Sequence, residues 1–421
     1  MNRFSYSLLL LLLTPAVMLY LGYRAIKSSA YRGRLGERLG MGLPQLSAPI
    51  VVHCASMGET LAALPLIRAL QRRYPTTPLL VTTTTPTGSQ QVKQQLGDSV
   101  HHCYLPLDLN GVMRRFVAHL NPKAVVLLET ELWPNLVHHC HQQQVPVIVA
   151  NARLSARSAK GYARFARVIT PMLQQLNAVA VQHSADGERL MHLGVPAKAL
   201  TECGSLKFDI QIGASERQQA QQFGGQLWGQ RPSWIAASTH PGEFEQAIAA
   251  HQQLLASYPE LLLLLVPRHP EQFEQAKQLA QQAGLTVQQR SSGDRVKPST
   301  QVLIGDTMGE MKTLYGATDI AFVGGSLIQR GGHNPLEPAA FGKPVLMGPH
   351  YFNFQPIGDA LKQKSALIEV NDQHALARQL QRLLDNRQRR DAIGSAALAF
   401  VEHNSGATER QLNVISAAIP R

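Results

Sequence analysis

Acidic residues follow two apolar segments in the first half of the chain, where catalytic groups of α/β enzymes commonly lie. Glu59 opens a leucine-rich helical pattern in HCASMGET, and Glu129 and Glu131 follow a second apolar run in LLETELWPN. If that strand continues, Glu129 and Glu131 share one face, because side chains alternate along a strand. A carboxylate here could act as a general base. Alternatively, Glu59 complements a helix dipole, and the other two are solvated at the surface.

Basic residues stand at other junctions of the first half. Arg153 and Arg157 occur in NARLSARS, and Lys207 occurs in GSLKFD. They could bind an acidic acceptor or stabilise developing negative charge. Because exposed basic residues are common, the surface alternative is strongest for Arg157.

Polar motifs also follow apolar runs in the second half: ASTHPGE, VPRHP and GDTMGEM. Arg268 and His269 end a penta-leucine run, where they could hold a phosphate. Gly309 and Glu310 stand at a predicted helix start. Polar strand ends that converge on one edge of a sheet are a stronger signal than any one of them.

A glycine-rich stretch from Gly324 to Gly348 has the pattern strand, loop, helix, strand. Asn334 is a predicted N-cap, Pro335 suits the first helical position, and Glu337 falls in the first turn. Gly342 is placed to end the helix. The helix N-terminus suits a phosphate, and Glu337 could accept hydrogen bonds from a ribose. An ordinary βαβ turn is the alternative.

The elements that position these motifs alternate between short apolar runs and longer amphipathic ones, which predicts parallel sheets covered by helices. The alternation runs to about Gly204, breaks in a polar, glutamine-rich segment, and then restarts. We therefore predict an N-terminal Rossmann-like domain over 27–204, a linker over 205–228 and a second Rossmann-like domain over 229–421, whose last 30 residues are predicted as helix and could pack on either domain. Two such domains leave a cleft for a ligand.

The first residues, 1–26, form a predicted membrane anchor. Phe4 to Tyr23 carries no charge, and a helix needs about 20 apolar residues to cross a ~30 Å bilayer. A cleaved signal peptide and a helix lying in the membrane interface are the alternatives. The basic residues that follow predict a cytoplasmic flank against anionic lipid: Arg24, Lys27, Arg32, Arg34 and Arg38.

The net charge of +12 indicates an anionic partner, which could be nucleic acid, a membrane surface or a phosphorylated substrate. Aromatic residues are only 6% and the basic residues are dispersed, which disfavours a membrane-tethered nucleic-acid-binding protein. The four cysteines form no C-x-x-C pair and indicate reduced, mostly buried thiols. The sequence has no P-loop, G-x-S-x-G, H-E-x-x-H or Asp-x-Asp motif.

Nine motifs in order resemble the Kdo (3-deoxy-D-manno-octulosonic acid) transferases of lipopolysaccharide synthesis: ASMGE, TTTTPTGS, ETELWPN, NARLS, GSLKFD, THPGE, PRHP, GDTMGE and GGHNPLEPA. The resemblance covers nearly the whole chain, including the anchor. It implies an α/β GT-B fold, with two Rossmann-like domains around a cleft. It also implies inverting transfer of Kdo from CMP-Kdo to the 6′-hydroxyl of the tetraacyl lipid A precursor, at the cytoplasmic side of the inner membrane.

The resemblance further implies residue roles. Glu59 is the general base, and Glu129 and Lys207 stabilise the transition state. The CMP contacts are Arg268, His269, Met308, Gly309, Glu310, Asn334, Pro335, Leu336 and Glu337. The resemblance implies no metal, no cofactor and no nucleic-acid partner. The main alternative is another GT-B enzyme, a transferase or epimerase that uses a different nucleotide sugar.

Overall fold

The computed structural model of the chain describes residues 2–28, 31–210 and 212–419. It divides into two compact units: unit 1 is Met1–Asp209 with Gly406–Arg421, and unit 2 is Ile210–Ser405. Parts of the predicted anchor, linker and domain ranges lie outside the described residues: 1, 29, 30, 211, 420 and 421.

The described residues of unit 1 form a seven-stranded parallel sheet in the order β3-β2-β1-β4-β5-β6-β7. Its strands are β1 Ile50–His53, β2 Leu79–Thr83, β3 His101–Tyr104, β4 Ala124–Leu128, β5 Val147–Ala152, β6 Ala178–Val181 and β7 Leu200–Glu202. The order is that of a Rossmann fold: successive strands are added on one side of β1 up to β3 and on its other side from β4 onwards, so the strand order reverses between β1 and β4. The apolar pattern predicts all of these strands except β3 and β7, whose side chains are partly exposed.

Helices cover both faces of this sheet. Unit 1 begins with α1 Arg3–Lys27, and the helices between its strands are α2 Met57–Arg73, α3 Pro86–Leu96, α4 Asn110–Leu120, α5 Pro134–Gln142, α6 Ala156–Ala163, α7 Ala166–Leu173 and α8 Ser184–Leu193. Val51 and Val125 contribute to the core on one face, whereas Val52 and Val126 contribute to the core on the other. Because both faces are buried, the strands are continuously apolar, which is why the sequence pattern predicts them.

The described residues of unit 2 form a second seven-stranded parallel sheet, in the order β10-β11-β9-β8-β12-β13-β14. Its strands are β8 Ser233–Thr239, β9 Leu262–Pro267, β10 Val287–Gln289, β11 Val302–Ile304, β12 Ile320–Val323, β13 Val345–Met347 and β14 Leu367–Glu369. Each lies in a segment that the sequence pattern predicts as a strand, including the short and partly exposed β10. In this sheet the strand order reverses between β8 and β12, so the carboxyl ends of these two strands are the expected ligand position.

The helices of unit 2 include most of the segment predicted as a linker. They are α9 Ala214–Trp228, α10 Phe244–Leu255, α11 Phe273–Gln282, α12 Met311–Ala317, α13 Leu336–Ala340, α14 Gln355–Gln363, α15 Gln373–Asp385 and α16 Arg387–Asn404. In α9, Ala220, Gly224 and Trp228 recur every four residues and are buried. A Cβ at Gly224 would lie 3.0 Å from the carbonyl oxygen of Ala317. The sparse apolar residues of α9 therefore suffice to pack it on α12.

The last helix, α17 (Ala407–Ala418), belongs to unit 1, not to the 229–421 domain assigned from the sequence. Leu412 and Ile415 enter the core that β1, β4 and β5 share. The buried Gln411 accepts a hydrogen bond of 2.8 Å from the backbone N–H of Asn151. The chain therefore returns to unit 1 after completing unit 2.

Helix α1 is the one helix among the described residues that is long and apolar enough to cross a membrane. A stripe of partly buried residues runs along it at intervals of three or four positions: Arg3, Ser7, Leu10, Thr14, Met18 and Leu21. At its start, Arg3 Nη1 donates to Asn110 Oδ1 at 3.0 Å, and the Tyr6 hydroxyl donates to Asp108 Oδ2 at 3.0 Å. One face of α1 thus lies along unit 1, whereas leucines on the remainder are exposed.

Two of the basic residues that follow α1 are tied into unit 1 rather than free for lipid. Arg38 is 8% exposed, and its guanidinium lies 4.0 Å from the centre of the Tyr104 ring. Arg34 Nε lies 2.6 Å from Glu37 Oε1. The expectation of lipid contact is therefore kept for the other basic residues of that set: Arg24, Lys27 and Arg32.

Candidate functional site

The first part of the site lies at the end of β1, where Ser56 caps helix α2. Ser56 Oγ accepts a hydrogen bond from the Glu59 N–H at 3.3 Å and donates one to Glu59 Oε1 at 2.7 Å. The Ala55 N–H donates to Glu59 Oε2 at 2.8 Å. Both carboxylate oxygens are thereby held in place. Glu59 therefore stabilises the N-terminus of α2, as the alternative interpretation of the sequence predicts. The same hydrogen bonds fix its side chain beside the end of β1.

Glu129 and Glu131 do not extend β4, so the predicted common face on a continuing strand is wrong. The strand ends at Leu128, and Glu129 takes φ of +56°, in the left-handed region that side chains other than glycine rarely adopt. Thr130 Oγ1 then donates to the Arg153 carbonyl at 2.6 Å. This local turn, not strand alternation, determines where the two carboxylates lie, and such strain is commonly kept at functional sites.

Lys207 follows the edge strand β7, yet its side chain reaches Glu129, which follows β4. It lies in a 3₁₀ turn, Leu206–Phe208, that follows β7. Its Nζ atom is 3.0 Å from Glu129 Oε1, and the two side chains are 42% and 23% exposed. The site thus joins two of the predicted catalytic residues in an ion pair whose side chains are partly exposed, although Glu129 Oε1 itself is buried.

The carboxylates of Glu59, Glu129 and Glu131 act on one another electrostatically. Burial raises the pKa of Glu59, against the hydrogen bonds from Ser56 and Ala55, and the charge of Glu129 raises it further. Burial, with the charges of Glu59 and Glu129, raises the pKa of Glu131 to about 7. A carboxylate whose pKa is raised toward neutrality is suited to accept a proton during a reaction.

The buried ring of His53 and the partly buried ring of Trp133 lie within these motifs, and the sequence analysis singled out neither as a candidate site residue. His53 has no exposed area, and its Nδ1 is 2.9 Å from Thr82 Oγ1. Its ring meets that of Trp133 edge to face, with 6.1 Å between centroids. Within the described ranges, neither His53 Nε2 nor Trp133 Nε1 has a hydrogen-bond partner. Their positions inside HCASMGET and ETELWPN were the signal available in the sequence.

In unit 2, polar residues follow β8 and β9 as predicted. The Arg268 N–H donates to the carbonyl of Thr239 at 2.9 Å, which ties the two strand ends together. Arg268 and His269 are exposed there, and the ring of His269 lies 5.6 Å from that of the buried His240. The ends of β8 and β9 therefore present an arginine and two histidines side by side.

The turn from Met308 to Glu310 is held in place by contacts of the Glu310 side chain within unit 2. Met308 is 69% exposed, and Gly309 takes φ of +86°. Glu310 Oε1 accepts a charged hydrogen bond of 2.9 Å from Arg290 Nη2, and its other oxygen accepts from the Thr307 hydroxyl. The Glu310 carboxylate is thus already engaged within unit 2.

The helix predicted after Asn334 is only a turn and a half long. Helix α13 begins at Leu336, and Pro335, not Asn334, takes the N-cap position. Asn334 Oδ1 still accepts a hydrogen bond from the Leu336 N–H at 3.1 Å. Gly342 takes φ of +68° just beyond the end of the helix, as expected for the residue that terminates it. The expected dipole contribution is correspondingly weak. Burial raises the pKa of Glu337, against the charges of Lys312 and Arg268.

No group of three or more His, Cys, Asp or Glu side chains in residues 2–28, 31–210 and 212–419 is arranged to hold a metal ion. The four cysteines are free and buried, as the sequence predicts.

Two parallel seven-stranded sheets, each covered by helices and each with polar residues at its strand ends, are the architecture of the GT-B fold. The family model for 3-deoxy-D-manno-octulosonic-acid transferase matches residues 33–210, and that for glycosyl transferases group 1 matches residues 240–399. The chain is 43% identical to the 3-deoxy-D-manno-octulosonic acid transferase of Haemophilus influenzae, over 100% of both chains. It is 38% identical to that of Bordetella pertussis, over 99% of both.

The chain therefore belongs to the 3-deoxy-D-manno-octulosonic acid transferase family, and it is a glycosyltransferase of lipopolysaccharide biosynthesis. In fold it is similar to a UDP-GlcNAc 2-epimerase from Neisseria meningitidis, with a TM-score of 0.54 and 14% identity over 88% of this chain and 100% of that one. At that identity the likeness concerns the fold alone. Family membership decides between the GT-B alternatives in favour of Kdo transfer.

Proposed function

We propose that the protein transfers Kdo from CMP-Kdo to the 6′-hydroxyl of the tetraacyl lipid A precursor, with inversion and without a metal ion. The observation that carries this proposal is the grouping of Glu59 with the Glu129–Lys207 pair around the reversal point of the first sheet. A fixed carboxylate of raised pKa beside an ion pair supplies what a metal-free transfer to a hydroxyl requires.

In this mechanism Glu59 removes the proton of the attacking 6′-hydroxyl. The hydroxyl oxygen forms a bond to the anomeric carbon of Kdo, and the bond from that carbon to the phosphate oxygen of CMP breaks. Positive charge builds on the sugar as in glycosidases, and Glu129 stabilises it. Lys207 holds the Glu129 carboxylate and offsets negative charge nearby. The ammonium 3.0 Å from Glu129 supports these roles.

Unit 2 binds the CMP part of the donor. Arg268, exposed at the end of β9, meets the negative charge of the departing phosphate. The remaining contacts with CMP are made by His269, by Met308, Gly309 and Glu310, and by Asn334, Pro335, Leu336 and Glu337. Since Glu310 is already bound to Arg290, we propose that backbone groups of its turn, rather than its carboxylate, contact the nucleotide.

We propose that the protein resides at the cytoplasmic face of the inner membrane, with α1 lying in the interface. Support comes from the partly buried stripe of α1, which recurs from Arg3 to Leu21, and from the hydrogen bonds of Arg3 and Tyr6 to unit 1. Spanning the bilayer would separate Arg3 from these partners. The exposed leucines of α1 then reach the acyl chains of the acceptor's own leaflet.

The location of the helix start is tested by replacing Asn2 with cysteine. The natural cysteines are buried, so a membrane-impermeant thiol reagent reports mainly on position 2. We expect labelling in inverted inner-membrane vesicles and none in intact spheroplasts. Labelling of spheroplasts would show instead that α1 spans the membrane.

The activity is tested with the full chain in detergent, freshly generated CMP-Kdo and the tetraacyl precursor, with EDTA present. We expect CMP release and a mass gain of one or more Kdo units on the lipid. A precursor methylated at its 6′-hydroxyl is the matched control and should gain no mass. Product from the methylated acceptor would contradict the assigned hydroxyl. Activity restored only by an added metal would contradict the metal-free mechanism.

A further inference from the structure

Two histidines outside the proposed contacts meet at the central strand ends of unit 2. His240 follows β8, and His333 ends the loop that follows β12. Their Nε2 atoms are 3.1 Å apart, and the rings are nearly parallel, at an interplanar angle of 16°. Since each hydrogen bond needs one donor and one acceptor, one Nε2 carries a proton and the other does not. The two rings thus share a proton.

The buried carboxylate of Glu243 holds the loops that follow β8 and β12 in this arrangement. Glu243 has no exposed area, and it accepts backbone hydrogen bonds from Gly325 at 2.7 Å, from Ser326 and Leu327 at 3.0 Å each, and from His240 at 3.2 Å. Four donors saturate its two oxygens. Glu243 therefore positions the pair but has little capacity left to bind a protonated histidine side chain.

The glycines of the loop allow the close approach of His333. The Gly332 N–H donates to the Gly325 carbonyl at 2.8 Å, and the His333 N–H donates to the Gly324 carbonyl at 3.1 Å. Gly325 takes φ of +70°, and a Cβ there would lie 3.2 Å from the His333 ring. The loop is thus built around the imidazole.

The groups that face the pair include two arginines and a third histidine. Arg268 and His269 come from the end of β9, and Arg330 comes from the loop itself. Burial lowers the pKa of both histidines, and repulsion from Arg268 and His269 adds to this effect; Arg330 contributes for His240. Glu337 faces Arg268, and Glu243 is occupied by backbone donors. The pair is therefore uncharged at neutral pH and lies beside two arginines. An arriving anion would raise the pKa of the histidines and so favour protonation of the pair.

We propose that the His240–His333 pair binds an anionic group of the sugar-nucleotide donor and takes up a proton from solvent as that group binds. The inference rests on the proposed donor, CMP-Kdo. The phosphate of CMP and the carboxylate of Kdo share the required chemistry, since both accept hydrogen bonds from a cationic imidazole pair. The proton returns to solvent when the anion leaves.

Proton uptake is measured by calorimetry on the full chain in detergent at pH 7.5, in two buffers of different ionisation enthalpy. CMP and freshly generated CMP-Kdo are the probes. We expect uptake approaching one proton in the wild type. His333→Gln and His240→Gln should abolish it and weaken binding about ten-fold, the scale of one charged contact. The exposed His374→Gln is the matched control, and thermal unfolding checks that each variant is folded.

The two probes separate the sources of the anion. Proton uptake with both ligands would identify the phosphate as the anion that the pair binds. Proton uptake with CMP-Kdo alone would identify the carboxylate of Kdo. Binding of both ligands without uptake, or unchanged binding in folded variants of both histidines, overturns the inference and leaves the proposed function standing. Failure of the wild type to bind either ligand would instead contradict the proposed donor.

Discussion

The ammonium group of Lys207 lies 3.0 Å from a carboxylate oxygen of Glu129, although their strands, β7 and β4, are separated by β5 and β6. The turn that carries Lys207 crosses the carboxyl edge of the sheet to reach this position. The Leu206 N–H donates to Asn151 Oδ1 at 3.0 Å, at the end of β5. Leu206 itself is buried in the core shared with α2 and α17. The ion pair is therefore a product of how the chain leaves the sheet.

Glu59→Gln should lower Kdo transfer by at least ~100-fold, because the amide cannot take the proton of the attacking hydroxyl. The amide keeps the size of the side chain and part of its helix-capping hydrogen bonding. Product formation under saturating CMP-Kdo measures the effect. Glu216→Gln is the matched control, since Glu216 also lies in a first helical turn and accepts from a backbone N–H, that of Gly213, at 2.9 Å. Full activity in Glu59→Gln would end the general-base proposal.

Lys207→Met and Glu129→Gln should each reduce transfer at least ~10-fold, and the double variant should lose little more than the worse single one, because the two residues act as a pair. The rates of all four proteins form a double-mutant cycle. Lys362→Met controls for loss of an ion pair of similar exposure, since Lys362 Nζ lies 2.7 Å from Glu369 Oε2. Additive losses would show that the residues act independently.

Glu131→Gln should stabilise the protein at alkaline pH. The folded-state pKa of Glu131 is raised to about 7, above the unfolded value near ~4.3. Between these values the folded protein binds more protons than the unfolded chain, so stability falls as pH rises through the window. The variant escapes this loss, and its advantage should grow from pH 5 to pH 8, to about 1 kcal/mol after solvent screening.

Thermal unfolding of wild type and Glu131→Gln across that pH range measures the difference. The exposed Glu188→Gln is the control and should follow the wild type at every pH. An advantage for Glu131→Gln that is equal at pH 5 and pH 8 would show that the carboxylate does not titrate in this window.

Glu243→Gln should lower the free energy of unfolding by about 2 kcal/mol or more, because an amide NH₂ would face buried backbone donors that a carboxylate oxygen now accepts. Binding of CMP should weaken as well, since the loop of His333 loses its support. Chemical denaturation measures the first effect and calorimetry the second. Glu245→Gln is the control, because the exposed Glu245 lies in the same helix start and accepts a backbone hydrogen bond from Gly242 at 2.9 Å. Equal effects in both variants would mean that the buried position has no special role.

The apolar strands and the motifs at their ends could be predicted because both are local properties. A strand buried on both faces must be apolar throughout, as in β1 and β9, and a polar residue directly after it must lie at the sheet edge. Strands with polar or exposed side chains, β3 and β7, lack this signal. Helix α9 also lacks a clear signal, because it has few apolar residues and its composition resembles that of a linker.

Sequence alone thus determined the two α/β units, the apolar first helix and the strand end at which each candidate residue lies. Tertiary structure decided which residues meet: Lys207 with Glu129, His240 with His333, and Gln411 of α17 with Asn151. It also decided that Glu129 adopts a left-handed conformation instead of extending its strand. The physical reason is that secondary structure follows from neighbouring residues, whereas these contacts depend on where distant chain segments cross the sheet edges.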